Sequence, residues 1–449
     1  MSLHSRLTLT TLTLVAAAAF APQAQASGFQ LREQSVSAQG SSFAGVSATS
    51  SDISGAFFNP ALLTQFSGWQ FTSGASFIAM DAKFSEGVAT RVNGSTISGP
   101  TTHGNAAVAG LVPNFGAMYS YSEDLKLGFL VNVPFGLPTE YDSNWMGRYH
   151  GLKTDLKTID LAPTIAYRIN SQWSVGASFV ARWAEAELSN ALDFALLSGL
   201  TPGTQDGKAT VTGEAWQYGV RLGATFQPTE ALRFGVGFHS AMTMAIKGDV
   251  AFDYPATLTG VPLATVQARG FKNGGGTADL KLPATYSLGF SYDINKAFTI
   301  QGEVSRSTWS RFDELRVKFA DNVAPQALET VTEEKWKDTT FVSLGATWKA
   351  SEAWTFRAGL GYDQSAVDDA YRTPRIPENT RTWVSFGAGH ALSKSLSVDI
   401  AFSHLFIPDS NLNLTTTTSS TDPDFTRGNL SGTYAISVNI ISAGMRYRF

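Results

Sequence analysis

The chain has 449 residues, of which 43% are hydrophobic and 16% charged, with a formal net charge of −4 and no cysteine. This composition excludes a disordered chain and a disulfide-stabilised scaffold, and the absence of cysteine excludes thiol chemistry. The net negative charge also argues against a general nucleic-acid-binding protein.

Residues 1–26 have the pattern of an export signal. Arg6 precedes an apolar run from Leu7 to Phe20, and Ala24-Gln25-Ala26 is a small-residue cleavage site. The run is shorter than the about 20 apolar residues that a transmembrane helix needs, and no comparable run follows it. We therefore expect cleavage before Ser27 and an exported protein without a membrane-spanning helix.

Residues 27–68 have no regular hydrophobic period. They are rich in Ser, Gly and Ala, contain adjacent aromatic residues at Phe57 and Phe58, and continue into Asn59-Pro60-Ala61. Proline fixes one backbone angle and removes a hydrogen-bond donor. Because such a segment would not form a stable domain alone, we expect a larger structure to enclose it.

From Trp69 onward, apolar and polar residues alternate, which is typical of strands with one apolar face. The clearest case runs from Trp173 to Trp183. Ten steps of about 3.3 Å, tilted by about 40°, span about 25 Å, the height of the apolar band of an outer-membrane barrel. A soluble β-sandwich alternates in the same way, but the export signal and the spaced tryptophans favour the barrel.

Short breaks alternate with long irregular segments, as periplasmic turns alternate with outer loops. The breaks divide residues 69–449 into fourteen strands of an all-β, antiparallel transmembrane β-barrel. The predicted strands are 69–83, 107–121, 125–138, 154–169, 173–188, 213–227, 232–249, 279–293, 297–310, 336–350, 354–365, 380–391, 396–408 and 429–449. An even number places both ends of the barrel on the periplasmic side.

The last predicted strand changes its pattern partway. Its apolar residues have even numbers from Tyr434 to Ile440 and odd numbers from Ile441 to Phe449. One extra residue would restore a single apolar face, so the pattern predicts a β-bulge near Ile440. The terminal aromatic residue resembles the signature by which the barrel assembly machinery of the outer membrane recognises its substrates.

Several motifs together resemble the FadL-type family of outer-membrane transporters of long-chain fatty acids and other hydrophobic compounds (OMPP1/FadL/TodX). The motifs are Gly28-Phe29-Gln30-Leu31, Glu33-Gln34-Ser35, Phe58-Asn59-Pro60-Ala61-Leu62, Gly136-Leu137-Pro138-Thr139-Glu140-Tyr141 and Ser307-Thr308-Trp309-Ser310. The resemblance implies a barrel over residues 69–449 that is plugged by an N-terminal hatch over residues 27–68. It also implies capture of an apolar ligand outside, an interior pocket, and lateral release by passive diffusion.

The resemblance places the lateral gap at a kink in the third strand. Pro134 and Gly136 weaken strand pairing there, and we expect Asn59, Pro60 and Ala61 to lie close by as parts of the gate. The alternative is that Pro134 marks the outer end of that strand.

The resemblance also places Phe29 at the binding pocket. Phe57 and Phe58 are candidates to line the ligand route, or to anchor the hatch by packing.

The segment 185–200 is more apolar than a loop needs. A short helix would place four candidate capture residues, Leu188, Leu192, Phe194 and Leu196, on one side. The next long loop would complete this groove through Phe252, Tyr254, Leu258, Val261 and Leu263, although packing of the loops among themselves is the competing explanation.

The sequence predicts no catalytic residue, metal site or cofactor, since it has no spaced metal-ligand cluster and no G-x-S-x-G motif. We expect a transporter rather than an enzyme, and a monomer. The expected partners are the apolar substrate, outer-membrane lipid and the barrel assembly machinery. The alternatives are a hydrocarbon channel, an outer-membrane lipid hydrolase, and a diffusion porin, which has no need of a plug. Arg182, Arg233 and Arg357 are candidates to bind a fatty carboxylate, or they are ordinary charges of the barrel interior.

Overall fold

The computed structural model describes residues 28–197, 199–255, 263–268, 270–320, 329–419, 422 and 424–449. The export signal and Ser27 lie outside the described residues. Among the described residues, no helix is long and apolar enough to cross a membrane.

The described chain forms a closed antiparallel barrel of fourteen strands. Several strands consist of two collinear parts. The strands are β1 Trp69–Thr90, β2 His103–Asn105 and Gly110–Ser120, β3 Leu125–Asn132 and Gly136–Glu140, β4 Lys153–Arg168, β5 Trp173–Asp193, β6 Asp206–Phe226, β7 Leu232–His239 and Met242–Asp253, β8 Gly274–Leu282 and Thr285–Asp293, β9 Phe298–Ser307 and Glu314–Phe319, β10 Glu329–Glu333 and Thr339–Lys349, β11 Trp354–Asp363, β12 Arg381–Ala391, β13 Leu396–Phe406 and Ser410–Leu414, and β14 Asn429–Arg448. The barrel closes where β1 pairs with β14, from Gln70 opposite Arg448 to Thr90 opposite Asn429.

Each of the fourteen predicted strands corresponds to one observed strand, so the predicted fold class is confirmed. The differences are largest at the outer ends, where β9 continues to Phe319 and β1 to Thr90, and β5 also continues to Asp193. The helix predicted within residues 185–200 is therefore wrong for most of its length, because the described helix there is only Phe194–Leu197. Leu188 and Leu192 still share a face, but with the spacing of a strand rather than a helix.

The β-bulge predicted near Ile440 is also wrong. Ile78 lies opposite Ile440 and Phe77 opposite Ile441, without a shift in register. Tyr434, Ile436, Val438 and Ile440 face the interior and are buried, whereas Ile441 is 61% exposed on the outer face. The apolar side of β14 changes because the barrel interior is apolar in its outer half, and not because the strand contains an extra residue.

The interior of the other half of the barrel is polar. Its buried inward-facing residues include Thr72, Ser76, Asn114, Ser174, Ser178, Thr225, Ser291, Ser343, Ser403 and Ser442. This polar half surrounds the N-terminal segment, which we define as residues 28–68. The apolar half contains a cavity.

The N-terminal segment is built from three short helices that are capped by side chains. Ser35 caps the helix Val36–Gln39, Asp52 caps the 3₁₀ helix Ile53–Phe57, and Asn59 caps the 3₁₀ helix Pro60–Gln65. Ser, Asp and Asn are preferred caps because their side-chain oxygens accept free backbone N–H groups, and proline is favoured at the first helical position.

Glycines of the wall let the N-terminal segment approach the barrel closely from inside. A Cβ atom at Gly235 on β7 would lie 1.8 Å from the carbonyl oxygen of Ser47, and one at Gly359 on β11 would lie 2.1 Å from that of Ser41. No side chain fits in such a space, so the wall glycines are required where the two backbones meet. These contacts lie on different sides of the barrel, and the segment therefore fills its cross-section.

Candidate functional site: an apolar cavity beside a break in the barrel wall

A cavity of about 550 Å³ lies between the N-terminal segment and the outer half of the barrel. This volume is within the range of about 300–1,000 Å³ that is typical of small-molecule sites. The lining is mostly apolar and includes Ile78, Met80, Trp383, Leu405, Val438 and Ile440. The inward-facing residues that change the pattern of β14 thus form part of the cavity wall.

Strand β3 is interrupted beside this cavity. Asn132 lies opposite Asp160 on β4, and Gly136 lies opposite Lys157. Three residues of β3 therefore face two residues of β4, which is a β-bulge with Pro134 at its centre. The predicted weakening of strand pairing at Pro134 and Gly136 is present, and Pro134 does not mark the outer end of β3, because the strand resumes at Gly136.

The other edge of β3 leaves an opening in the wall. The ladder between β2 and β3 ends where Phe115 lies opposite Val131, and contact resumes only at the bridge between Ala107 and Thr139. The structure describes the backbone of this whole region, and no ladder pairing joins the two strands between these points. Eight residue steps along β2, from Phe115 to Ala107, correspond to roughly 26 Å. The cavity lining includes residues on both edges of this opening, so the cavity extends to the wall there.

The N-terminal segment supplies partners to the interrupted strand. The N–H of Leu31 donates to the carbonyl of Pro134 at 2.8 Å, and the N–H of Gly136 donates to the carbonyl of Phe29 at 3.2 Å. The hydroxyl of Thr158 on β4 accepts from the N–H of Phe135 at 2.9 Å and donates to its carbonyl at 2.7 Å. Side chains and the N-terminal segment thus replace the missing ladder.

The contacts of Asn59, Pro60 and Ala61 are with β5 and β6, and their expected place beside the kink stays a prediction. Asn59 donates to the carbonyl of Ala224 on β6 at 3.0 Å. A Cβ atom at Gly176 on β5 would lie 2.5 Å from the backbone of Pro60 and Ala61. These three residues therefore pack against β5 and β6, since the wall glycines leave space for them there.

The three candidate phenylalanines have different surroundings. Phe29 lines the cavity and packs against Trp309, Trp336 and Phe135, with ring-centroid distances of 4.8, 5.6 and 5.9 Å. Among the described residues, those that line the cavity do not include Phe57 or Phe58. They pack on each other at 4.9 Å, and this arrangement favours the anchoring explanation for both.

A second cavity of about 70 Å³ lies on the other side of Phe29, and Leu188 lines it. Leu192 and Phe194 belong instead to the packing of the outer loops. Phe194 is only 1% exposed, and its ring lies 5.5 Å from that of Tyr254 and 5.9 Å from that of Phe271. Leu196 is partly buried in the one-turn helix.

The remaining residues of the predicted groove do not lie together. Phe252 packs against Phe271 at 5.8 Å, so it joins the same aromatic cluster as Tyr254. Leu263 is 43% exposed, whereas Leu258 and Val261 lie outside the described residues. The aromatic cluster is closed, and the contacts favour packing of the loops among themselves over an open groove.

The charged groups in the wall of the larger cavity carry no net positive charge. Among the described lining residues, Lys157 pairs with Asp155 at 2.9 Å and Arg381 lies 3.8 Å from Glu378, while Glu33 is a third carboxylate. If all five groups are ionised, two basic and three acidic side chains give a formal charge of −1. In the loop that carries Glu378, burial raises the pKa of this carboxyl above its ordinary value.

The three arginines considered as carboxylate ligands lie elsewhere. Arg182 donates twice to buried Asp160, at 2.6 and 2.8 Å. Arg357 donates to Asp399 at 3.0 Å, and Arg233 lines a polar vestibule of about 750 Å³ at the periplasmic end. Ordinary interior charge therefore accounts for Arg182 and Arg357, and none of the three lines the apolar cavity.

The closed barrel, its apolar outer cavity and the opening in its wall define an outer-membrane β-barrel transport protein. A family model described as "Outer membrane protein transport protein (OMPP1/FadL/TodX)" matches residues 17–449, and the chain belongs to this family. The protein therefore lies in the outer membrane of a Gram-negative bacterium. The resemblance found in the motifs is confirmed.

Two relatives and two solved structures illustrate the similarity. The chain is 29% identical over 405 residues to the long-chain fatty acid transport protein of Salmonella typhi, covering 87% of this chain and 90% of that protein. It is 29% identical over 405 residues to the 47 kDa outer membrane protein of Pasteurella multocida, covering 88% and 91%. A Pseudomonas aeruginosa FadL homologue superposes with a TM-score of 0.86 at 22% identity, covering 94% and 100%. The Ralstonia pickettii toluene transporter TbuX gives 0.66 at 18%, covering 92% and 98%.

Sequence reasoning missed the residues of the apolar interior. The change of parity in β14 carried the signal, because it marks the depth at which the interior becomes apolar. The partners of the interrupted strand, such as Gln34 and Thr158, gave no signal in the sequence, since hydrogen bonding depends on which backbone groups the fold leaves unpaired.

Proposed function

We propose that the protein admits long-chain fatty acids or related hydrophobic compounds by passive diffusion through the apolar cavity and the opening between β2 and β3. The observation that supports this proposal is that the apolar cavity is lined by residues from both edges of the opening, on β2 and on β3. A ligand that moves from the cavity into lipid keeps its transfer free energy, about 0.8 kcal/mol for each CH₂ group. An aqueous route would lose that free energy.

In this proposal residues 27–68 act as a hatch. The N-terminal segment fills the polar half of the barrel, and its first described residues form one wall of the cavity. Phe29 lines both the small cavity and the large one. A ligand captured at the outer end would reach the large cavity when Phe29 moves aside, and Leu188 would contact it first. Asn59, Pro60 and Ala61 would act from a distance by anchoring the hatch to β5 and β6.

Pro134 and Gly136 would form the gate itself. Proline removes one donor from the ladder, and the N–H of Gly136 pairs with the N-terminal segment rather than with β2. The edge of the opening is therefore held by groups that can leave when the hatch moves.

A neutral hydrocarbon is the second candidate substrate. The pairing of both lining cations favours it, because a buried carboxylate of the ligand would find no unpaired cation among the described lining residues. The relatives include proteins named as fatty acid transporters, and the similar structures include one named as a toluene transporter. A fatty acid would suit this cavity best in its protonated form.

Liposome uptake of radiolabelled palmitate and hexadecane tests both candidates, with the substitution Gly110→Phe as the diagnostic variant. Gly110 lies at the edge of the opening and in the cavity wall, and a Cβ atom there meets nothing within 4 Å. A phenyl ring therefore fits without a clash and fills the exit.

We expect Gly110→Phe to lower uptake at least tenfold. Gly104→Phe is the matched control, because Gly104 is also unobstructed but does not line the cavity. Equal uptake by the Gly110 variant and wild type would contradict the lateral route. Uptake of palmitate that falls as the pH rises from 5 to 9, with hexadecane uptake unchanged, would show that the neutral form is carried.

A further inference from the structure

Val133 is the first residue of the break in β3, and neither neighbouring strand pairs with it. The pairing of β3 with β2 ends at Val131. The pairing of β3 with β4 before the break ends at Asn132. Its peptide groups are paired instead by the side chain of Gln34 in the N-terminal segment. Nε2 of Gln34 donates to the carbonyl of Val133 at 2.7 Å, and Oε1 accepts the N–H of Val133 at 3.1 Å.

A side-chain amide thus makes the two hydrogen bonds that a strand partner would make. Gln34 is fully buried, and its Nε2 also donates to the carbonyl of Leu31 at 3.3 Å, which fixes the orientation of the amide. Val133 is half-buried in the wall, and since peptide groups away from water are almost always paired, it depends on this contact.

Three residues at this edge depend on the N-terminal segment. Gln34 holds Val133, Leu31 holds Pro134, and Phe29 holds Gly136. Phe135 alone among residues 133–136 has both of its peptide groups paired with a side chain of the barrel wall, through Thr158. The edge of the opening is therefore hydrogen-bonded both to the barrel wall, which is fixed, and to the N-terminal segment, which the proposed function requires to move.

We propose that Gln34 is a positioning residue that couples the N-terminal segment to the lateral opening. While its amide holds Val133, the edge of β3 stays bent toward the interior. When the segment withdraws, the N–H and carbonyl of Val133 lose their hydrogen bonds to Gln34. The edge of β3 then shifts to a position in which these two groups form other hydrogen bonds. This proposal rests on the lateral route of the proposed function, and it assigns the control of that route to one side chain.

Gln39 provides a control for simple anchoring. It is also fully buried and lies in the same segment, and its Nε2 donates to Ser403 at 3.2 Å and to the carbonyl of Ile440 at 3.3 Å. It holds the segment to β13 and β14, where the ladder is continuous. If Gln34 only anchored the segment, the corresponding substitution of either glutamine would have the same effect.

The test uses Gln34→Glu and Gln39→Glu, with Gln34→Ala as a second variant in case the glutamate variant does not fold. Glutamate keeps the acceptor oxygen but replaces the donor to Val133 with a second oxygen.

Because the chain has no cysteine, two cysteines can carry spin labels without background labelling. Leu111 on β2 and Ile159 on β4 are exposed on the outer face and lie on either side of the opening. Leu360 and Phe386 lie across the intact pairing of β11 with β12 and provide the reference pair.

We expect Gln34→Glu to broaden the distance distribution between the labels at Leu111 and Ile159, and to raise pyrene uptake by proteoliposomes at least threefold. Gln39→Glu should change neither quantity, and the reference pair should keep its distribution in all variants. An unchanged distribution in both Gln34 variants, or an equal change in Gln39→Glu, would overturn the proposal. If wild type carries no pyrene or palmitate while Gln34→Glu still broadens the distribution, the proposed function fails and the coupling role stands.

Discussion

The hydroxyl of Thr158 offers a direct test of how the break in β3 is held. It is fully buried, and it accepts from the N–H of Phe135 and donates to its carbonyl. Valine has nearly the same shape but neither donates nor accepts. Thr158→Val therefore removes both partners of Phe135 and leaves its buried peptide groups unpaired.

Each lost hydrogen bond is worth about 1 kcal/mol, so the edge should become less stable by about 2 kcal/mol. Since about 1.4 kcal/mol corresponds to a factor of ten, the open population of the edge should rise by about 30-fold. Amide hydrogen exchange with single-residue resolution measures this population. Exchange should accelerate at Phe135 and also at Gly136, whose N–H is bonded to Phe29.

The matched control is Thr164→Val on the same strand. The hydroxyl of Thr164 is also buried, but it bonds to the carbonyl of Ala162 and to Ser178, away from the break. This variant should leave exchange at Phe135 and Gly136 unchanged. Faster exchange at Phe135 with no change at Gly136 would refute the idea that residues 133–136 move together as one edge.

Three further outcomes follow from other buried groups. Asp160→Asn leaves two buried guanidinium groups without their shared carboxylate, and should lower the free energy of unfolding by about 3–5 kcal/mol, measured by urea-induced loss of the folded barrel. Phe194→Ser should destabilise the outer loops, since core Phe→Ala substitutions cost about 3–5 kcal/mol, and limited proteolysis should then cut within residues 194–254. Burial raises the pKa of Glu334, in the loop part of residues 334–338, to about 8. Because the folded state prefers the protonated carboxyl, thermal stability should fall as pH rises from about 4.5 to about 8, and Glu334→Gln should flatten this dependence.

The strand number and the positions of most strands could be predicted because their signals are local. A strand in a barrel wall exposes one face to lipid, so its side chains alternate with a period of two, and short polar turns separate the strands. The outer ends were less predictable. Beyond the membrane neither face must be apolar, and β5 and β6 extend into the outer loops without a change in composition.

The candidate site was only partly predictable. The interruption of β3 follows from Pro134 and the bulge around it, whereas the location of Asn59-Pro60-Ala61 depends on glycines on β5 and β6 that lie more than a hundred residues away in sequence. The change of parity in β14 indicates a bulge only where the barrel interior is polar at every depth, and here the interior is apolar in its outer half.

The sequence by itself determined a fourteen-stranded wall and a weak point in β3, because these depend on residues that are neighbours along the chain. The tertiary structure decided where the interior is apolar, which residues fill it and which groups hold the weak point closed. Gln34 and Val133 are 99 residues apart. Their contact exists because the folded barrel leaves one peptide unit without a strand partner and brings a buried amide to the same place.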